Sequence, residues 1–138
     1  MRKRCVDSRT AARDRLCDDS VVRTVLIVDD HPSFRASARA ILEADGWDVI
    51  GEAADGASAL AAVEKLRPDV VLLDVQLPDL SGFEVCAACC RRNGSTPAVI
   101  LVSSRDAADY GPLIERSGAR GFVPKAELSG DAVAALLR

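Results

Sequence analysis

Long hydrophobic runs are absent from this sequence of 138 residues. A membrane-spanning helix needs about 20 consecutive apolar residues, and no stretch here approaches that length. The basic start, Met1–Arg4, is not followed by the apolar segment of a secretory signal peptide. The five cysteines are an odd number, which does not suit a framework of disulfides. We therefore expect a cytoplasmic protein that does not insert into a membrane.

The chain also lacks a basic surface over most of its length. Its first 23 residues contain seven Lys and Arg against four Asp, whereas the remainder contains 11 basic and 17 acidic residues. An acidic domain repels phosphate backbones, so we do not expect it to bind nucleic acid directly. Residues 1–23 show no hydrophobic periodicity and are interpreted as a flexible leader, with a docked helix as the alternative. Residues 24–138 are then one domain.

Five short apolar runs alternate with amphipathic helical patterns from Thr24 onward. This alternation predicts an α/β fold in which a parallel sheet is covered by helices on both faces. One helical pattern places Ala59, Val63 and Leu66 on a common face. The runs predicted as strands are Val25–Val28, Trp47–Ile50, Val70–Leu73, Val99–Val102 and Gly121–Val123.

The connection between the fourth and fifth strands contains Gly111 and Pro112. Proline lacks the amide hydrogen that a helix interior requires. We therefore expect a broken or short fourth helix that restarts at Pro112 and stops near Gly118.

Acidic residues follow two of the predicted strands. Asp29 and Asp30 end the first strand, and Asp74 ends the third. If the strand order is 2-1-3-4-5, these strands are neighbours and the three carboxylates converge at the carboxyl edge of the sheet. Clustered carboxylates repel one another unless a cation compensates, and their oxygens suit Mg²⁺. A metal-assisted phosphoryl site is the leading hypothesis; the alternative is that each acid only begins a loop or caps a helix.

Two more polar groups are predicted at the same edge. Ser103 follows the fourth strand, and Lys125 follows the fifth. A hydroxyl and an ammonium are groups that interact with the equatorial oxygens of a transferred phosphoryl group. Alone, Ser103 is equally well explained as a helix cap and Lys125 as a solvated charge. The acids beside them favour the phosphoryl site.

Three cysteines, Cys86, Cys89 and Cys90, lie in the third helical pattern. A structural zinc site needs four ligands, and no further Cys or His is nearby in the sequence. The same spacing matches an inward-facing stripe, so we interpret them as small core residues. The sole histidine, His31, is interpreted as a solvent-facing neighbour of the acidic pair.

Four short motifs, in this order, resemble the receiver domain of bacterial two-component response regulators. The resemblance extends from about Thr24 to the C-terminus and is strongest to the subfamily that usually carries a helix-turn-helix DNA-binding output. It implies a flavodoxin-like doubly wound sheet of five parallel strands in the order 2-1-3-4-5. The motifs are Val28-Asp29-Asp30-His31-Pro32, Leu73-Asp74-Val75-Gln76-Leu77-Pro78 with Gly82, Val102-Ser103-Ser104, and Gly118-Ala119-Arg120-Gly121-Phe122-Val123-Pro124-Lys125.

The resemblance also implies roles for the residues at the acidic edge. Asp74 would accept a phosphoryl group from the phosphohistidine of a sensor histidine kinase. Asp30, Asp74 and the backbone carbonyl of Gln76 would bind Mg²⁺, and Asp29 would reach the ion through water. Lys125 would pair with Asp74 or its phosphate.

Switching is the further implication. Ser103 would close on a phosphoryl oxygen, and Phe122 would occupy the aromatic switch position. Such a domain is not an enzyme and only assists its own phosphorylation and dephosphorylation. Its output would be an unknown downstream protein or a C-terminal domain missing from this sequence, and a phosphorylation-dependent homodimer is left open. The last helix ends at the C-terminus, so we expect either a stand-alone receiver or the front of a longer regulator.

Three other functions are alternatives to this one. An aspartate-nucleophile phosphatase of the haloacid dehalogenase type needs a second acid two residues after the nucleophile, where this sequence has Gln76. A flavodoxin-like cofactor binder needs a phosphate loop after the first strand, and no Gly-rich or Ser/Thr-rich segment is there. The third alternative is a receiver-like interaction module that is not phosphorylated. The complete set of acids, Ser103 and Lys125 counts against it.

Overall fold

A computed structural model describes residues 23–90 and 97–137, in which strands and helices alternate. In this part of the chain no helix has the length and apolar character needed to cross a bilayer. The strands are β1 (Thr24–Val28), β2 (Asp48–Ala53), β3 (Val70–Asp74), β4 (Ala98–Ser103) and β5 (Gly121–Pro124). The helices are α1 (Pro32–Ala44), α2 (Gly56–Leu66), α3 (Gly82–Cys90), α4 (Leu113–Arg116) and α5 (Gly130–Leu137), with 3-10 turns at Ala107–Asp109 and Lys125–Glu127.

The five strands form one parallel sheet in the order β2-β1-β3-β4-β5. This order confirms the predicted doubly wound, flavodoxin-like α/β fold. β1 and β3 are paired at the centre, with Val28 opposite Leu73. The chain reverses its direction of travel across the sheet at this pair, and folds of this kind bind ligands at that crevice.

Each face of the sheet has its own apolar core. Leu26 and Val28 of β1 pack with α2 and α3, whereas Val25 and Ile27 pack with α1 and α5. All residues of β3 are buried, as expected of a central strand in a parallel sheet covered on both faces. A slip of one residue would move every side chain of a strand into the opposite core. The cores therefore determine where each strand ends and which residues emerge there.

The connection between β4 and β5 is irregular, as predicted. The 3-10 turn at Ala107–Asp109 is followed by Gly111, whose φ is +56°, and then by the four residues of α4. Pro112 precedes α4 instead of opening it, and Gly118, with a φ of +88°, follows it. Positive φ favours glycine, so both ends of this helix are defined locally. A helix of four residues has little stability of its own and depends on side-chain contacts for its position.

The cysteine prediction is correct for two residues and wrong for the third. Cys86 and Cys89 are buried in the core beneath α3. Burial raises the pKa of the Cys86 thiol to about 12, which keeps it protonated. Cys90 is exposed because α3 ends there, and its thiol lies 3.6 Å from the carbonyl oxygen of Gly118.

The predicted leader falls almost entirely on residues 1–22, outside the described residues. The division of the chain at residue 24 therefore stays a prediction.

Gly82 opens α3 at a point where two backbone segments are in close contact. A Cβ atom there would collide with the carbonyl oxygen of Asp74 and lie 2.7 Å from the Cα of Val75. The Gly82 N–H also donates a hydrogen bond to the Val75 carbonyl at 2.7 Å. Glycine at this position lets α3 begin directly against the end of β3.

We predict that Gly82→Ala lowers the free energy of unfolding by about 3 kcal/mol, because neither backbone segment has room to move. Gly46→Ala is the matched control. Gly46 has a φ of +91° but open space around it, so its substitution adds only the strain of a left-handed residue, about 1 kcal/mol. Urea denaturation of both variants measures the difference, and equal losses would contradict the steric explanation.

Candidate functional site

Three carboxylates meet where the central strands end. Asp29 directly follows β1 and Asp74 is the last residue of β3, so the two side chains emerge next to each other. Asp29 is 0% exposed and Asp74 is 3% exposed. One oxygen from each of Asp29, Asp30 and Asp74 and a ring nitrogen of His31 lie within 4.8 Å of one another. The structure thus brings together the three acids that the sequence analysis singled out.

Lys125 adds a positive charge to this group. Its Nζ lies 2.6 Å from Asp29 Oδ2 and 3.6 Å from Asp74 Oδ2. The ring of Phe34 in α1 lies 4.5 Å from the same Nζ, which is a cation–π contact. Because the ammonium is closer to Asp29, it compensates that carboxylate more strongly. Asp74 is the less compensated of the two buried acids.

The environment of Asp74 favours its protonated form. Burial, together with the neighbouring charge of Asp29, raises the pKa of Asp74 from 3.8 to about 6. The Lys125 ammonium and the N–H of Gln76 act in the opposite direction. An ionised Asp74 is therefore poorly stabilised by the protein alone, and an additional cation would stabilise it.

His31 contacts the acids although its side chain is 65% exposed. Its backbone N–H donates a hydrogen bond to Asp29 Oδ1 at 2.8 Å. Its Nδ1 lies 2.9 Å from the same oxygen and 3.1 Å from Asp30 Oδ1. His31 is exposed, as predicted, but its contacts with Asp29 and Asp30 were not predicted. The available signal was its position two residues after Asp29, a spacing at which an aspartate side chain accepts a backbone hydrogen bond.

Hydrogen bonds accepted by Asp74 and Asp79 hold the loop after Asp74. The N–H of Gln76 donates to Asp74 Oδ1 at 3.3 Å. Asp79 accepts hydrogen bonds from the N–H groups of Gly56 at 2.7 Å and Ala57 at 3.0 Å, at the start of α2. These bonds lower the pKa of Asp79 and tie the loop to a neighbouring helix. Sequence reasoning did not single out Asp79, since its partners are more than twenty residues away along the chain.

Ser103 ends β4 and is 1% exposed. Asp74 lies opposite Val102 in the pairing of β3 with β4, so Ser103 stands on the adjacent strand one residue further along. Its Oγ accepts a hydrogen bond from the Arg105 N–H at 3.0 Å. The same Oγ lies 2.6 Å from the hydroxyl oxygen of Tyr110. Ser103 is therefore beside the acids but bonded to the segment that precedes α4.

Tyr110 is a residue that sequence reasoning missed. Its ring packs against Phe83 and Phe122, with centroids 5.6 Å and 5.8 Å apart. The sequence analysis placed the aromatic switch at Phe122, which is half-buried on β5. The available signal was that Tyr110 is the sole tyrosine and follows Ser103 by seven residues. The polar segment around it has no periodicity that would predict the contact.

The donor set fits a hard divalent cation. Among the described residues, three carboxylates stand near one lysine ammonium, so negative charge is in excess there, and two of the carboxylates are buried where that excess costs most. Mg²⁺ prefers oxygen ligands such as these carboxylates. It also keeps part of its water shell, which the solvent-exposed acid of this group allows.

Fold and site together define a parallel α/β domain with an acidic edge that also contains a lysine and a hydroxyl. A family model described as the response regulator receiver domain matches residues 25–137. The chain therefore belongs to the response regulator receiver domain family, the signalling module of two-component systems, and the predicted resemblance is confirmed. The match favours this family over the phosphatase and the cofactor binder.

Individual relatives agree with this assignment. The DNA-binding transcriptional activator EvgA of Escherichia coli is 35% identical over 111 residues, which are 80% of this chain and 54% of EvgA. The nitrate/nitrite response regulator protein NarP of the same species is 43% identical over 103 residues, 73% of this chain and 47% of NarP. The chain thus spans about half the length of the curated relatives it matches.

Solved structures show the same domain. The signal receiver domain of the response regulator NarL from Mycobacterium tuberculosis has a TM-score of 0.74 and is 32% identical, covering 84% of this chain and 97% of that one. The chemotaxis response regulator CheY4 of Vibrio cholerae has a TM-score of 0.73 and is 28% identical, with coverage of 85% and 97%.

We predict that ionisation of Asp74 destabilises the metal-free protein. The folded-state pKa of about 6 lies above the ordinary 3.8, so the free energy of unfolding falls as pH rises from about 4 to about 6 and stays lower above that range. A shift of this size corresponds to about 2–3 kcal/mol. Asp74→Asn removes the effect, so the variant becomes more stable than the parent through this window.

Urea denaturation across the window in the presence of a chelator measures the difference. Other titrating groups are common to both proteins and cancel in the comparison. Parallel pH profiles for parent and variant would show that Asp74 has an ordinary pKa.

Proposed function

We propose that this chain accepts a phosphoryl group on Asp74 from the phosphohistidine of a sensor histidine kinase, and that the modification changes how it interacts with a partner. The observation that carries the proposal is the buried Asp74 carboxylate, 3.6 Å from Lys125 Nζ in a group of acids with excess negative charge. Phosphoryl transfer needs a positioned nucleophile and groups that stabilise the phosphoryl oxygens. The chain turns over no separate substrate and assists only its own phosphorylation and dephosphorylation.

In the transfer, an oxygen of Asp74 forms a bond to phosphorus while the bond from phosphorus to the kinase imidazole nitrogen breaks. The imidazole keeps the electron pair and takes a proton from solvent, and the product is an acyl phosphate. Lys125 donates to an oxygen of the transferred group, because its Nζ already faces Asp74 Oδ2. Ser103 donates to another oxygen from the adjacent strand. Asp74 must be ionised to attack, and a bound cation favours this form by lowering the pKa of Asp74 from the raised value that it has without metal.

We assign the Mg²⁺ ligands to Asp30, Asp74 and the backbone carbonyl of Gln76, with Asp29 interacting through water. The Asp30 side chain is 35% exposed and can hold an ion that keeps part of its water shell. Asp29 is already engaged by Lys125 and by His31, which leaves it less free to bind a metal directly. When bound, the ion supplies positive charge that offsets the acids and stabilises the phosphoryl oxygens.

Ser103 and Phe122 form the switch in this proposal. A phosphoryl group adds negative charge and acceptor oxygens beside Ser103 and Lys125. Ser103 closes on one of those oxygens, its loop moves, and Phe122 turns inward. Only groups that contact the phosphoryl differently in two states shift the balance between them, and such coupling is typically about 1–3 kcal/mol.

The partners follow from the relatives. EvgA and NarP are a DNA-binding activator and a response regulator, and this chain matches about half of each. We propose a cytoplasmic histidine kinase domain as donor and a DNA-binding output as target, supplied by a longer chain or by a separate protein. We do not propose direct nucleic-acid binding by the receiver itself, because acidic residues outnumber basic ones after residue 23. Size-exclusion chromatography with and without beryllofluoride tests for a phosphorylation-dependent homodimer.

We predict that a small acyl-phosphate donor with Mg²⁺ adds one phosphoryl group to the parent protein and none to Asp74→Asn, since the variant has no carboxylate nucleophile. Intact-mass spectrometry measures the addition. Asp48→Asn is the matched control, because Asp48 is an exposed acid outside the site and its variant should react like the parent. An unmodified parent would favour the interaction module that is not phosphorylated, and a modified Asp74→Asn would place the phosphoacceptor elsewhere.

We predict that Asp30→Ala weakens Mg²⁺ binding by about tenfold or more, because it removes a charged ligand from the ion. Its metal-free form should also be more stable than the parent, since repulsion among the acids is relieved. NMR titration of Mg²⁺ measures the affinity, with Asp48→Ala as the control outside the site. Unchanged affinity in Asp30→Ala would remove Asp30 from the ligand set.

A further inference from the structure

Tyr110 is the one side chain that anchors the segment between β4 and α4. Residues 104–109 and 111–113 are all exposed, whereas Tyr110 is half-buried. Leu113, at the start of α4, is 48% exposed and does not hold the segment to the core. Within α4, Ile114 is half-buried and packs against the same core as Tyr110. Because α4 has only four residues, its position depends on the contacts of both side chains.

Tyr110 makes apolar contacts through its ring and a polar contact through its hydroxyl. Phe83 of α3 and Phe122 of β5 contact the ring. The hydroxyl has Ser103 Oγ at 2.6 Å, the shortest polar contact of this serine. The polar contact ends on the residue that the proposed function assigns to the phosphoryl group.

A serine hydroxyl has one hydrogen to donate and two sites to accept. The Arg105 N–H occupies one accepting site, and the Tyr110 hydroxyl takes the donor or the other acceptor. In either arrangement the hydrogen bond holds the Oγ of Ser103 next to the hydroxyl of Tyr110. Turning it toward an oxygen on Asp74 strains or breaks this contact.

We propose that Tyr110 is a positioning residue that holds Ser103 in the resting state, and that a phosphoryl group on Asp74 competes with Tyr110 for the Ser103 hydroxyl. This inference rests on the proposed function. When the phosphoryl group wins, the segment from 104 to 113 loses its polar anchor and moves with α4. Tyr110 provides a hydroxyl at the switch, which Phe122 lacks. Phe122 provides part of the apolar contact of the Tyr110 ring.

The sharpest test is Tyr110→Phe, which keeps the ring against Phe83 and Phe122 and removes only the hydroxyl. Beryllofluoride with Mg²⁺ serves as the phosphoryl mimic, and its affinity is measured by NMR titration. Because the resting state loses a neutral hydrogen bond, the variant should bind the mimic about two- to tenfold more tightly than the parent.

The same substitution in a Ser103→Ala background is the matched control. With no serine hydroxyl to compete for, Tyr110→Phe should then leave the affinity unchanged, and the four proteins form a double-mutant cycle. An equal gain in both backgrounds would mean that the substitution acts through packing alone, and it would overturn the inference.

A second measurement reports the hydroxyl directly. Tyr110 is the only tyrosine, so a ¹³C label on its ring carbon bearing the oxygen gives one NMR signal. Beryllofluoride should move this signal in the parent toward its position in Ser103→Ala. A signal that responds to neither change would contradict the competition.

Different results would contradict the role of Tyr110 and the role of Asp74. A parent that binds the mimic while Tyr110→Phe binds it equally or more weakly overturns the role of Tyr110 and leaves Asp74 in place. A parent that does not bind the mimic at all contradicts both.

Discussion

Asp29 and Asp74 are buried beside each other at the edge of a sheet whose central strands are otherwise apolar. Burying a carboxylate costs several kcal/mol unless it is paired, and two adjacent ones also repel each other. Lys125 is the lysine that contacts both. Asp29 follows β1, Asp74 ends β3 and Lys125 follows β5, so strands far apart in the chain must end at the same level. The two apolar cores fix the register of the strands and therefore the level at which each strand ends. The positions of the charges at the edge depend on these cores.

The two sides of the site are built differently. On the side of β1 and β3, Gly82 lets α3 begin against the end of β3, and Asp79 ties the following loop to the start of α2. On the side of β4, residues 104–113 are exposed except for Tyr110. Segments with few buried contacts open at lower free energy than the rest of a domain. If Asp74 is the phosphoacceptor, as proposed, a fixed acceptor lies next to a weakly anchored segment, and modification can move that segment without disturbing the acceptor.

Most of the fold and the acidic group could be predicted because both arise from strong local patterns. Apolar runs determine the central strands, and the residues after each run must emerge at the same edge of a parallel sheet. Gly111 and Pro112 marked the short α4 through backbone restrictions alone. The contacts of Asp79 and Tyr110 could not be predicted in this way, because they join polar segments without periodicity across the tertiary fold. Cys90 was misassigned because the helical stripe predicts a face but not where the helix ends.

Phosphorylation would place further negative charge where negative charge is already in excess. In the proposed mechanism Lys125 serves the phosphoryl group, yet its Nζ lies closer to Asp29 than to Asp74 in the resting structure. A shift of this ammonium toward the phosphoryl would leave Asp29 buried with less compensation, and an uncompensated buried charge is strongly destabilising. A divalent ion among the acids relieves that cost, so ion binding and phosphorylation support each other in the same site. In the proposed switch, the signal that leaves the site depends on neutral hydroxyl contacts, whose modest energies would allow the domain to switch back when the phosphoryl group is lost.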